Sequence, residues 1–326
     1  MIIYIFLFNL LMAVTFTFSK AALWYMSPIM LMCARFLIGG LVLFFYQYFT
    51  NNLPKIKKSD VKELALLIFI AFYLSFVFDN WGLQFVKSSE SSLIYNLMPL
   101  STALIGFFMF KETISLLQSL TLFFGFASLW PILEFDFENT DLINVFEVTL
   151  YARLAILLSV FFGAYGWLLM QRLIIEKKYS PLNLNMIGLL GAGCLSLLQI
   201  AVQKVSPYQQ PLFKLDPSYM NDQIYLFFNY FFSVDSSIAI TAMFHIVVLI
   251  IITHVIGYPL YGYLLKRYSA TLLALSGCTI PLISAFAGRF FLKERLPSGF
   301  WLSFLMMSIC VLLFYYEEEK RTGKVF

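Results

Sequence analysis

Residues 99–112 read PLSTALIGFFMFKE, and residues 281–294 read PLISAFAGRFFLKE. The strings align without a gap at an offset of 182 residues and agree at seven of fourteen positions. Each is a proline-led apolar run closed by Lys-Glu. A second match, MSPIMLM at 26–32 with YSPLNLN at 179–185, has an offset of 153. The offsets differ by 29 residues, so the second half carries extra chain between its second and third apolar segments. The connection 204–236 is where it sits, with Pro207, Pro211, Pro217 and the aromatic run YLFFNYFF at 225–232. The expected form there is a loop with an interfacial aromatic anchor. The chain is an internal duplication.

Composition sets the environment of that duplication. Of the residues, 61% are hydrophobic and 12% charged, and mean hydropathy is +0.83, too little polar surface to solvate a 37.7 kDa globule. Residues 2–19, 36–54, 64–78 and 113–133 carry no charge. Apolar runs of this length read as membrane-crossing helices, because a helix satisfies its own backbone groups inside lipid. The first run lacks a preceding Lys or Arg and a small-residue cleavage site, so a retained helix is expected rather than a signal peptide. The net charge of +4 needs no nucleic-acid partner. The four cysteines fall inside apolar spans, where they behave as small hydrophobes, and no spacing suggests a metal site or a cofactor.

The expected fold class is an all-α integral membrane protein: ten transmembrane helices as two inverted five-helix repeats. The spans fall near 2–19, 28–50, 64–86, 91–110, 114–133, 150–171, 182–203, 237–265, 269–290 and 297–316. The first repeat covers 1–133, an acidic external connection 134–149, the second repeat with its 204–236 insertion 150–316, and a cytoplasmic tail 317–326. With the N-terminus in the cytoplasm, thirteen of the 22 Lys and Arg fall in cytoplasmic segments and six outside, and Arg35, Arg153 and Arg289 lie within spans. The positive-inside rule favours that orientation for both termini. Five helices per half is an odd number, so the halves must face opposite ways. Opposed halves rocking about a midplane site are the construction of secondary transporters.

The residues also carry a resemblance. The helix-1 end TFTFSKAAL, the helix-2 start SPIMLMCARFLIGG, the run WGLQFVKSSESSLIYNLMPLSTALIGFFMFKETIS and PLISAFAGRFFLKERLPSGFW resemble the drug/metabolite transporter superfamily, in its EamA-type ten-helix members. The resemblance covers most of the chain, with 204–236 as the main departure. It implies transport of a small organic metabolite through a cavity between the halves, across a bacterial inner membrane. Abundant Phe, Ile, Tyr, Asn and Lys are those of an AT-rich genome, as in host-dependent bacteria. Some family members there exchange S-adenosylmethionine for S-adenosylhomocysteine, and the chain looks similar to them in its helix-1 Lys and helix-2 Arg. That exchange is the expected function. An amino-acid or drug exporter is the alternative, and a lipid-modifying membrane enzyme the remote one; for the last, no nucleophile or acid/base cluster is evident. Both proton coupling and obligate exchange stand open.

The offset of 182 also pairs candidate site residues. Phe72, Phe76 and Asp79 on helix 3 match His254, Tyr258 and Tyr261 on helix 8, each set sharing one helical face. A two-fold relation brings both faces to the midplane, with one carboxylate, one imidazole and aromatic walls able to stack adenine or hold a sulfonium. On helix 4, Ser92, Tyr95, Asn96 and Pro99 share a face, and Pro99 and Pro281 each break a helical hydrogen bond. Asp79 is the leading candidate, since a charge within a span faces a cavity or a partner; the competing reading is an interfacial carboxylate. Lys20 reaches a substrate carboxylate or snorkels to the surface. Tyr165 and Trp167 on helix 6 are further cavity candidates. Arg35 is expected in a structural ion pair, Glu90 as a helix-dipole cap, and Arg153 and Arg289 at outer helix ends. GLLGAG at 188–193 has no strand context for a nucleotide fingerprint and suits close helix packing.

Overall fold

The computed structural model describes residues 2–110, 115–132, 142–205, 236–265, 276–296 and 299–322. The expectations for Lys111-Glu112, the acidic connection and most of the 204–236 insertion lie outside those residues. All regular secondary structure among the described residues is helical. Its helices are α1 (Ile2–Ala22), α2 (Pro28–Phe49), α3 (Val61–Leu66), α4 (Ser75–Leu83), α5 (Ser88–Tyr95), α6 (Met98–Phe110), α7 (Leu116–Ala127), α8 (Leu142–Ile175), α9 (Pro181–Val205), α10 (Ser236–Leu249), α11 (Tyr258–Leu265), α12 (Ile280–Leu292) and α13 (Phe300–Thr322). Seven helical stretches among the described residues are long and apolar enough to cross a membrane. Three shorter apolar helices, Leu116–Ala127, Ile280–Leu292 and Phe300–Phe314, fall where the remaining expected spans lie.

Local chemistry explains where these helices start and break. Ser27 caps α2 by accepting from the Met30 N–H, with Pro28 at the first turn, where its missing N–H is harmless. Ser115 and Gln118 form a reciprocal capping box at the start of α7. Pro99 cannot donate to the Tyr95 carbonyl, and the helix breaks between Tyr95 and Met98. Pro281 sits in the first turn of α12 behind a short 3₁₀ turn, Gly277–Thr279. Asn9 on α1 donates to the Ser276 carbonyl at that second break, at 2.7 Å.

A feature absent from the sequence reading joins α3 to α4 and α10 to α11. Each junction is a π-helical segment of eight residues, Leu67–Leu74 and Ile250–Gly257. They are related by an offset of 183, within one residue of the repeat. π segments widen the helix by one residue per turn and gather at functional sites.

Helix contacts follow a two-fold relation between the halves. α2 packs along α9, its repeat partner, and α7 packs along α13. The pair α1 with α12 mirrors α8 with α6, and the contact of α2 with the second π segment mirrors that of α9 with the first. Small residues permit the close approaches. A Cβ on Gly188 would come within 2.4 Å of Phe72, and one on Gly193 within 2.8 Å of Leu37. GLLGAG is thus a packing stripe on α9.

Candidate substrate site

The centre of the molecule is an aromatic and polar cluster with Arg35 inside it. Arg35 lies on α2, one-hundredth exposed. Its Nε donates to His254 Nε2 and its Nη1 to Ser19 Oγ, both at 3.2 Å. The guanidinium lies 5.4 Å from the Phe76 ring centre and 5.6 Å from that of Phe36, within cation–π range. Because Nε2 of His254 accepts this bond, the ring proton resides on Nδ1. Among the described residues a histidine and a serine hold Arg35, in place of the ion pair that the sequence suggested.

Asp79, on α4, is buried at 8% exposure, and the Arg35 guanidinium and Tyr95 hydroxyl form its electrostatic surroundings. No ion pair joins Asp79 to Arg35 among the described residues. Three buried polar atoms here have no partner among the described residues, Arg35 Nη2, Asp79 Oδ1 and His254 Nδ1, and Asn96 Nδ2, at the break after α5, is a fourth. Each such group forfeits about 1–3 kcal/mol, more when charged, unless something else pairs with it.

An aromatic wall continues from this cluster. Phe36 meets Phe76 at 4.9 Å and His254 at 5.3 Å, His254 meets Tyr258 at 5.4 Å, and Trp167 meets Tyr258 at 6.0 Å and Tyr261 at 4.4 Å. The sequence candidates Phe76, Asp79, His254, Tyr258, Tyr261, Tyr95 and Trp167 thus form one neighbourhood. Tyr95 enters through the Asp79 carboxylate and also meets the Ser159 hydroxyl, and buried Asn96 lies at the break before α6.

Two candidates lie apart. Lys20 Nζ donates to the Leu83 and Gln84 carbonyls at 2.7 and 2.8 Å, capping the end of α4. Tyr165 lines a separate cleft with Lys62, Glu63 and Arg172 at the far end of α8. Two further readings change. Glu90 forms a buried ion pair with Arg153 rather than serving only as a dipole cap. Glu294 accepts from the Ser88 N–H at 3.0 Å and the Ser88 hydroxyl at 2.6 Å, so the Lys-Glu end of α12 caps α5 from the other half. Arg35 is the residue that sequence reasoning undervalued; its depth within an apolar span was the available signal.

A family model for the EamA-like transporter family matches residues 1–133 and 150–316. The chain is 26% identical over 329 residues to an S-adenosylmethionine/S-adenosylhomocysteine transporter of Chlamydia muridarum, covering 98% of this chain and 93% of that protein. It is 27% identical over 327 residues to the transporter of the same name from Chlamydia trachomatis serovar L2, covering 98% and 90%. A solved crystal structure shares the fold at a TM-score of 0.61, with 14% identity and 98% of both chains covered. Taken with two halves packed about a buried polar centre, the match along nearly all of the sequence decides the matter: the chain belongs to the EamA-like transporter family.

Proposed function

We propose that this transporter exchanges S-adenosylmethionine for S-adenosylhomocysteine by alternating access. The observation that carries the reading is the central cluster. A buried cation and a buried carboxylate each keep an unpaired atom, beside aromatic rings that can stack an adenine and hold a sulfonium. The substrate pair is that named for the chlamydial relatives. The binding residues in this reading are Arg35, Phe76, Asp79, Tyr95, Asn96, His254, Tyr258, Tyr261 and Trp167. Residues 1–133 and 150–316 are the rocking halves, set in a bacterial inner membrane with both termini in the cytoplasm.

The test is uptake of radiolabelled S-adenosylmethionine into cells expressing the protein. Unlabelled S-adenosylhomocysteine, adenosine, methionine and ATP serve as competitors. Saturable uptake blocked by S-adenosylhomocysteine supports the reading. No uptake above an empty-vector control, with expression confirmed, overturns it in favour of amino-acid or drug export.

A further inference from the structure

Arg35 has more hydrogen-bonding capacity than the protein uses. Nε is taken by His254 and Nη1 by Ser19, while Nη2, with its two N–H bonds, meets no acceptor among the described residues. Across the cluster, Asp79 Oδ1 meets no donor among them. Opposite charges in a low-dielectric interior attract strongly, and an Arg–carboxylate pair ordinarily closes into a bidentate contact. Here it does not close. His254 and Ser19 hold the guanidinium, and the Phe76 ring lies against it. The result is a separated plus–minus couple with one open position on each member. The group that fills both positions together is itself a minus–plus couple.

We infer that Arg35 and Asp79 read the α-amino-acid end of the substrate, with the ligand's carboxylate on Arg35 Nη2 and its ammonium on Asp79 Oδ1. This rests on the exchange reading for the ligand's identity, though not for its zwitterionic end. Lys20 is less suited to receive the carboxylate, since two backbone carbonyls engage its ammonium and the Glu294 and Glu90 carboxylates act on it. His254 and Ser19 act as positioning residues that aim the guanidinium. A consequence is that the adenosyl portion alone is a poor ligand: binding it leaves the couple open.

The experiment measures binding of tritiated S-adenosylhomocysteine to the purified full-length protein in detergent. Competitors are unlabelled S-adenosylhomocysteine, its decarboxylated analogue and 5′-methylthioadenosine. In the wild type, loss of the carboxylate weakens competition at least about tenfold, as expected where a buried donor is left unpaired. Arg35→Gln brings S-adenosylhomocysteine down to the level of the decarboxylated analogue and leaves the latter unmoved. Arg35→Lys restores part of the preference, and Lys20→Gln keeps it. Equal competition by both ligands in the wild type, or a preference that survives in a folded Arg35→Gln protein, overturns the inference. Should Arg35→Gln fail to fold, Lys20→Gln decides: loss of the preference there assigns the carboxylate to Lys20 instead. If no adenosyl compound binds, the exchange reading fails. Thermal shifts with methionine, phenylalanine and tryptophan against their decarboxylated amines then judge the inference alone; a preference for the amino acids upholds it, and its absence refutes it.

Discussion

At the residue scale, the site joins two opposite charges and the aromatic rings around them, side chains that the sequence scatters over α2, α4, α5, α8 and α11. Asp79 stood out because a carboxylate inside an apolar run demands a reason, and the repeat alignment added His254, Tyr258 and Tyr261. Arg35 was equally visible as a charge within a span, but nothing in one sequence tells which way its side chain points. The contact that fixes its meaning, to His254, crosses 219 positions. S-adenosylmethionine and S-adenosylhomocysteine both carry the α-ammonium assigned to Asp79. Asp79→Asn should therefore raise the competition constants of both, by about tenfold, and leave their ratio nearly unchanged. Constants that do not move in competition assays count against an ammonium contact at Asp79. The His254 bond makes a second prediction. While Arg35 donates to Nε2, the imidazole has no acceptor role for a second proton, so it does not carry protons in this state. The exchange rate of His254→Gln, whose side-chain oxygen can accept the same bond, should follow the wild-type pH profile between about pH 5.5 and 7.5. A profile altered in shape would assign proton coupling to His254.

At the element scale, the repeated string acquires a physical meaning. In its second copy Pro281 interrupts the helix, Gly288 makes room, and Glu294 crosses to the other half. A Cβ on Gly288 would lie 2.6 Å from Ser88 Oγ and 2.7 Å from Glu294 Oε2, so only glycine lets the cap form. Lys293 turns the chain back in the left-handed conformation, at φ 56°. Both carboxylate oxygens then accept from the Ser88 N–H, at the positive dipole end of α5. Proline, glycine and Lys-Glu were legible as a pattern, but the partner at Ser88 was not. Replacing Glu294 with Gln should loosen this tie, and a cysteine placed at Ser88 should then react faster with a thiol reagent. The Arg153–Glu90 pair yields a stability prediction. Arg153→Ala leaves a buried carboxylate alone and should cost about 3–5 kcal/mol, whereas Glu90→Gln on top of it should recover part of that loss. Melting temperatures in detergent would show it; equal stability of the single and double variants would argue against a buried pair. Gly82→Ala should also destabilise, by about 1–3 kcal/mol, because its Cβ would lie 2.6 Å from the Ala152 carbonyl oxygen.

At the scale of the whole molecule, the fold was largely written in hydropathy and the duplication. Uncharged runs gave the spans, and two offsets gave the halves. The paired π segments were hidden, because an i→i+5 hydrogen bond leaves no composition signature. The first contains Phe72 and leads into Phe76 and Asp79, and the second contains His254 and leads into Tyr258 and Tyr261, so both site faces run through a widened turn. Substrate identity was beyond periodicity; it entered through resemblance and now stands beside a central couple of suitable charge. Exchange differs from every other mode of transport in needing a substrate on the far side, and counterflow measures that need. Purified protein is reconstituted into liposomes, loaded with S-adenosylhomocysteine or left empty, and given external radiolabelled S-adenosylmethionine. Saturable accumulation is expected in the loaded vesicles and little in the empty ones. Equal uptake in both would contradict obligate exchange, and no uptake in either would contradict the assigned substrate.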